Sequence, residues 1–270
     1  MSTRGHLFLE ESMEQARPLE LAHGWVHVYS APVPGESARN EDSAAVVPLD
    51  ASILVLALAD GAGGHRFGAE ASQTAIKALV RTLEDPDERS RSPRERILDG
   101  FEAANRDVRE LAVGAMTTLT AVLIEEWSVR SFHVGDSPVL LLGQRGKLKA
   151  QTIDHTPAGY GLEAGLIDEH EALHHAERHV VTNLVGIEDM RIDMGPELRL
   201  APRDTLVLAS DGLTDNLQTG EIVELLRMGN LGRQIELLVE SCRVRMLDPE
   251  PGHASKPDDL TIVTFRPKKR

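Results

Sequence analysis

Five acidic positions in this 270-residue chain stand where apolar runs begin or end. Asp60-Gly61, Gly135-Asp136 and Asp211-Gly212 each close such a run, Asp258 directly precedes another, and Asp42, with Glu41 beside it, lies ahead of the first strongly apolar one. An aspartate in that place sits where backbone leaves the core and its side chain can face a cleft. The neighbouring glycine lets the chain turn sharply and brings a carbonyl close to a ligand. Taken singly, an Asp-Gly pair is an ordinary turn signal. Five that converge imply a cation, because like carboxylates repel unless one sits among them. An all-oxygen donor set with no cysteine nearby suits Mg²⁺, Mn²⁺ or Ca²⁺ and points away from zinc.

The elements that must position these acids are short. Ile53–Ala59, Thr118–Ile124, Ser128–Val134, Thr205–Ala209 and Leu260–Phe265 read as strands. Val139–Leu142 and Lys147–Thr152 flank Gln144-Arg145-Gly146, a hairpin signal. Helical periodicity runs through Ala69–Leu83, Arg96–Val113, Gly220–Met228 and Arg233–Met246. Hairpin-spaced strands with paired helices predict an α+β layered sandwich rather than a doubly wound parallel sheet. The charged Asp85–Arg96 stretch reads as an exposed loop, residues 1–23 as a lead-in, and 24–267 as a single domain ahead of a short basic tail.

Composition narrows the function classes. With 43 Asp and Glu against 29 Lys and Arg, the net charge of -14 excludes a nucleic-acid backbone binder. The one cysteine, Cys242, lies in a helical pattern, which removes an internal disulfide and a thiolate metal cage and suggests a buried structural thiol. The charged N-terminal stretch is no signal-peptide core and no apolar run reaches membrane-spanning length, so a cytoplasmic protein without membrane partners is expected.

The order of seven short blocks adds a family resemblance. Asn40-Glu41-Asp42, Ala59-Asp60-Gly61-Ala62-Gly63-Gly64-His65, Met116-Thr117-Thr118-Leu119-Thr120, Val134-Gly135-Asp136-Ser137, Asp154-His155-Thr156, Ala209-Ser210-Asp211-Gly212-Leu213 and Asp258-Asp259-Leu260-Thr261 together resemble the metal-dependent (PPM, type 2C) serine/threonine protein phosphatases of bacterial type. The resemblance covers about residues 25–266. It implies a four-layer α/β/β/α sandwich, two antiparallel sheets packed face to face with helices on both outer sides. It also implies two Mn²⁺ or Mg²⁺ ions sharing a bridging water, and a third, weaker ion. Carried over by motif, Asp60 bridges both ions, the Gly61 carbonyl is a ligand, and Glu41, Asp42, Asp211 and Asp258 complete the pair. Asp136 matches the acid that holds the third ion with Asp211. Of the two neighbouring acids, Asp258 rather than Asp259 takes the ligand's place. The implied reaction is hydrolysis of phosphoserine and phosphothreonine by attack of the bridging hydroxide, with Asp60 and Asp211 central. Its implied partners are a phosphorylated protein substrate and a cognate kinase. The alternative is a low-activity phosphatase-fold module that binds phosphoproteins.

The departures fall on the cationic side. The family's phosphate-gripping arginine lies four residues before the glutamate of the Asn-Glu-Asp block, where this chain has Ser37; Arg39 sits two residues before Glu41. A shift of two keeps the strand face, so Arg39 is either a displaced phosphate clamp or a surface residue. His65, just after the glycine pair, is expected to act from behind the ligands through a metal-bound water. Residues Asp154 to Gly186 match the family's mobile flap, whose Tyr160 and glycines suit either a substrate-selecting surface or a solvated loop. The flap histidines His174, His175 and His179 read as solvated, and His133 and His155 as buried strand-end residues.

Overall fold

The computed structural model describes residues 5–35, 38–62, 67–168, 171–172, 175–249 and 253–268. In chain order its strands are β1 (His6–Leu9), β2 (Arg17–Glu20), β3 (Gly24–Ala31), β4 (Asp42–Pro48), β5 (Ile53–Asp60), β6 (Leu119–Glu125) and β7 (Ser128–Val134). They continue with β8 (Val139–Gly143), β9 (Lys147–Gln151), β10 (Asp193–Met194), β11 (Leu198–Arg199), β12 (Thr205–Ala209) and β13 (Leu260–Pro267). The helices are α1 (Gly68–Glu84), α2 (Pro93–Glu110), α3 (Pro157–Glu163), α4 (Asp211–Thr214), α5 (Thr219–Leu226) and α6 (Leu231–Leu247).

Two antiparallel sheets result. One runs β1-β4-β5-β6-β7-β10 with β11 also paired to β7, and the other runs β2-β3-β13-β12-β8-β9. Alternation along single strands explains their stacking. In β4 and β5, Ala44, Val46, Leu54 and Leu56 face the core shared with the second sheet, whereas Ala45, Val47, Val55 and Ala57 face a core completed by α1 and α2. The second sheet buries its other face under α5 and α6 through Ile222, Leu226, Ile235 and Leu238. The α/β/β/α sandwich expected from the resemblance is therefore the fold.

Two readings of the sequence change. Residues 6–9 and 17–20 lie within the stretch taken as a lead-in, yet β1 pairs with β4 and β2 with β3, giving each sheet an edge strand. Four-residue strands carry too little alternation to announce themselves. The Asp85–Arg96 loop is also shorter than expected. Asp87–Ser90 forms a 3-10 turn, and α2 starts at Pro93 behind a reciprocal cap in which the Ser92 hydroxyl accepts from Glu95 N–H and the Glu95 carboxylate accepts from Ser92 N–H.

Candidate metal centre

The acids gather at one edge of the sandwich because both sheets end there. In the first sheet Asp42 opens β4 and Asp60 closes β5, and the two are direct register partners. Asp136 lies in the turn after β7. From the second sheet, Asp211 follows β12 as the first residue of α4, and Asp258 lies two residues before β13.

Hydroxyls stitch these ends in place. Asp60 C=O accepts from Thr118 N–H at 2.8 Å and from the Thr117 hydroxyl at 2.7 Å, while Asp60 N–H donates to Thr118 Oγ1 at 2.9 Å. Thr118 Oγ1 meets Ser137 Oγ at 2.7 Å, and Thr120 Oγ1 donates to Ser137 C=O at 2.9 Å, which ties the Asp136 turn to the same strand. A second chain joins the sheets. Asn40 Nδ2 donates to Ser30 Oγ, Ser30 Oγ meets Thr261 Oγ1, and Thr261 N–H donates to Ser210 Oγ, each within 2.9 Å. The glycines are required by close approach: a Cβ on Gly61 would overlap the Gly68 backbone, and one on Gly212 would overlap the Asp259 carbonyl.

The electrostatics are those of crowded carboxylates. Asp42 is 1% exposed, and among the described residues its carboxylate has no close hydrogen bond, with the Thr261 and Ser210 side chains its nearest donors. Burial, and then the charge of Asp259, raises its pKa well above the ordinary value. Burial raises Asp60 likewise, followed by the charges of Asp42, Asp211, Asp258 and Asp136. Asp136 is raised by burial and then by Asp211 and Asp154. Glu41 is pushed up to about 7 by burial and by the charges of Asp259 and Asp258. A buried, unpartnered carboxylate costs several kcal/mol as an anion. Crowded hard-oxygen donors from several elements are the set that Mn²⁺ or Mg²⁺ takes, so the residues fit the expected ions.

Asp259 is spent on backbone, its oxygens accepting from Val33 N–H at 2.8 Å and Glu41 N–H at 2.6 Å. Four further residues join the cluster. The Asp154 carboxyl is pushed up to about 7 by burial and then by Asp215 and Asp211. Asp215 lies one helical turn beyond Asp211, a spacing of four that the sequence offered as a signal. His179 Nδ1 lies 3.2 Å from Asp215 Oδ2 and takes a hydrogen bond from Arg178 on its other nitrogen, so this flap histidine caps the acids rather than facing solvent alone. Lys256 Nζ meets Asp258 Oδ2 at 2.7 Å, Asp211 Oδ2 at 2.9 Å and Asp215 Oδ2 at 3.2 Å.

Arg39, read from the sequence as either a displaced phosphate clamp or a surface residue, lies at the rim of the cluster. Its side chain is 59% exposed, and its guanidinium pairs with Glu10 and, at 2.8 Å, with Glu70 on the first turn of α1. The strand-face argument did not apply, because residues 38–41 precede β4 rather than lying in it. Ser37, His65 and His174 lie outside the described residues. His155 is a buried hub: its Nδ1 accepts from Gly135 N–H at 3.0 Å and from Asn183 Nδ2 at 2.9 Å, leaving Nε2–H to donate to Asp193 at 3.2 Å. Cys242 is buried in α6, and burial pushes its thiol up to about 12, which removes it as a nucleophile.

Comparison with known proteins decides the family: residues 35–241 match the model for "Protein phosphatase 2C". The chain belongs to the protein phosphatase 2C family. Protein phosphatase PhpP of Streptococcus pneumoniae is 32% identical over 179 residues, covering 63% of this chain and 72% of that protein. Serine/threonine protein phosphatase PstP of Mycobacterium tuberculosis is 31% identical over 237 residues, 84% of this chain, which spans only 42% of PstP's length. The solved catalytic domain of serine threonine protein phosphatase PstP in complex with 2 manganese ions superimposes with a TM-score of 0.71 at 26% identity, over 90% of this chain and 98% of that one. This protein phosphatase 2C member is a metal-dependent protein serine/threonine phosphatase served by Mn²⁺ or Mg²⁺. The low-activity binding module finds no support among these relatives. Among the described residues no helix is long and apolar enough to cross a membrane.

Proposed function

We propose that this chain hydrolyses phosphoserine and phosphothreonine esters in proteins at the acid cluster, opposing a cognate kinase in the cytoplasm, with residues 24–267 and the paired N-terminal strands acting as one unit. The observation that carries the proposal is the convergence of carboxylates from both sheets on one edge, with Asp42 fully buried among them. In this reading Asp60, the Gly61 carbonyl, Glu41, Asp42, Asp211 and Asp258 would hold two ions, and Asp136 would hold a third with Asp211. Bound divalent ions would lower the pKa of water toward neutrality and offset charge on the phosphoryl oxygens. The chain's own residues then have three tasks. Asp259 fixes the Glu41 backbone so that its carboxylate faces the cluster. Thr117 and Thr118 hold the strand end that carries Asp60. Arg178 brings positive charge near Asp215, with the neutral His179 ring held between them. Arg39 is assigned to the rim, where it pins Glu10 to Glu70.

The test is Mn²⁺-dependent hydrolysis of p-nitrophenyl phosphate and of a phosphopeptide panel by wild type, Asp60→Asn and Asp211→Asn. Turnover is expected to vanish with chelator and to fall by at least about 10²-fold in either variant. Full activity in chelator would overturn the metal reading. Equal rates on phosphotyrosine peptides would overturn the substrate class.

A further inference from the structure

The metal centre contains a cation of its own. The Lys256 ammonium sits within 2.7–3.2 Å of three carboxylate oxygens, one each from Asp258, Asp211 and Asp215. Two of those residues, Asp211 and Asp258, are expected ligands of the divalent pair. The lysine does not reach this place by chance of a mobile side chain. Its backbone is held from both sides by one fully buried amide: Lys256 N–H donates to Asn216 Oδ1 at 2.9 Å, and Asn216 Nδ2 donates to Lys256 C=O at 2.8 Å. The same Nδ2 donates to Gly212 C=O at 2.9 Å, so the residue that aims Lys256 is fastened to the turn that carries Asp211. Ser255 adds a third tie through its hydroxyl to Arg245 C=O at 2.8 Å.

We propose that Lys256 is a tethered cation occupying the Asp211–Asp258 side of the centre, so that a divalent ion fills that side only as the ammonium withdraws. The inference rests on the reading of these acids as metal ligands. An ammonium held at Oδ2 of Asp211 and of Asp258 competes with a divalent ion for the same carboxylates, and at such distances the two cations repel. Asp215 gives the displaced ammonium somewhere to go, since it is not among the expected ligands and already lies 3.2 Å from Nζ. Two consequences follow. The acids of the second sheet stay neutralised when metal is scarce, and the ion on their side binds more weakly than its neighbour, which makes it the one that responds to the free metal concentration.

The experiment measures Mn²⁺ retained per protein against chelator-buffered free Mn²⁺, together with thermal unfolding in EDTA and in saturating Mn²⁺. Wild type is compared with Lys256→Met, Lys256→Gln and the charge-keeping Lys256→Arg, all purified with Mn²⁺ so that each starts folded. In Met and Gln variants the weaker Mn²⁺ equivalent is expected to tighten at least about tenfold. Their unfolding temperature should drop in EDTA yet match wild type in saturating Mn²⁺, whereas Lys256→Arg keeps the weaker equivalent weak. Unchanged affinities in Met and Gln would overturn the proposal, as would an equal loss of stability with and without Mn²⁺, the mark of a merely structural lysine. Wild type retaining no Mn²⁺ at all would instead overturn the metal reading beneath it, so the two failures are told apart.

Discussion

Replacing Asp60 by asparagine is expected to stabilise the metal-free protein while abolishing its response to Mn²⁺. Asp60 and Asp42 are direct partners across an antiparallel ladder. Side chains so placed have Cβ atoms about 5 Å apart. Two unit charges at roughly 5 Å and an effective dielectric near 20 repel by about 3 kcal/mol. Protonation already relieves part of this, because burial and the surrounding acids raise Asp60 well above 3.8. The sign is then fixed. A carboxyl whose folded pKa is raised makes the fold the better proton binder, so stability is present at low pH and is lost as pH rises from the unfolded value toward the folded one. Above that window a gain of about 1–2 kcal/mol remains for Asp60→Asn, or roughly 3–6 °C for a domain of this size. Mn²⁺ at about 100 times its dissociation constant should add about 2.7 kcal/mol to wild type and little to the variant. Thermal unfolding at pH 7.5 in EDTA and in MnCl₂ should therefore show the two curves change order. An Asp60→Asn protein less stable than wild type in EDTA would refute the reasoning, since it would mean the carboxylate is held by favourable contacts rather than by want of a cation.

Two further predictions use the same equipment. Arg39→Ala should leave KM for p-nitrophenyl phosphate within about threefold and the unfolding temperature nearly unchanged, because exposed ion pairs contribute only about 0–1 kcal/mol; a tenfold rise in KM would return the guanidinium to the substrate. Asp154, whose carboxyl is pushed up to about 7 from 3.8, should make metal-free wild type lose stability as pH rises between those values. Asp154→Asn should flatten that slope in EDTA, and an unaltered pH profile would remove Asp154 from the cluster.

The acids were legible in the sequence because each stands against a boundary that hydrophobic patterning marks: a buried run stops or starts, in three cases with a glycine beside it, and a carboxylate is left at the rim. The layered fold was legible for the same reason, through alternation in β7 and buried runs in β5 and β12. What patterning could not supply was reach. Lys256 touches Asp211 across 45 residues of chain, and its aim depends on Asn216, whose amide reads in sequence as an ordinary turn residue. Arg39 is the opposite case. Its position near Glu41 was visible, but its two partners, Glu10 and Glu70, come from β1's end and from α1, and no spacing rule links them. The short strands β1 and β2 escaped because their pairing, not their composition, makes them strands.

Because Asp42, Asp60 and Asp136 hang from one sheet while Asp211 and Asp258 hang from the other, the centre straddles a slip plane. The apolar core between the sheets resists separation, and the Asn40–Ser30–Thr261–Ser210 chain is a cross-tie near the acids. A small shear of one layer over the other would alter the spacing between the two halves of the donor set without moving any acid relative to its own strand. The helices on either outer face are the handles by which such a shear could be applied, far from the reacting atoms. A pair of ions held by acids of both sheets would tie the two layers together at that edge.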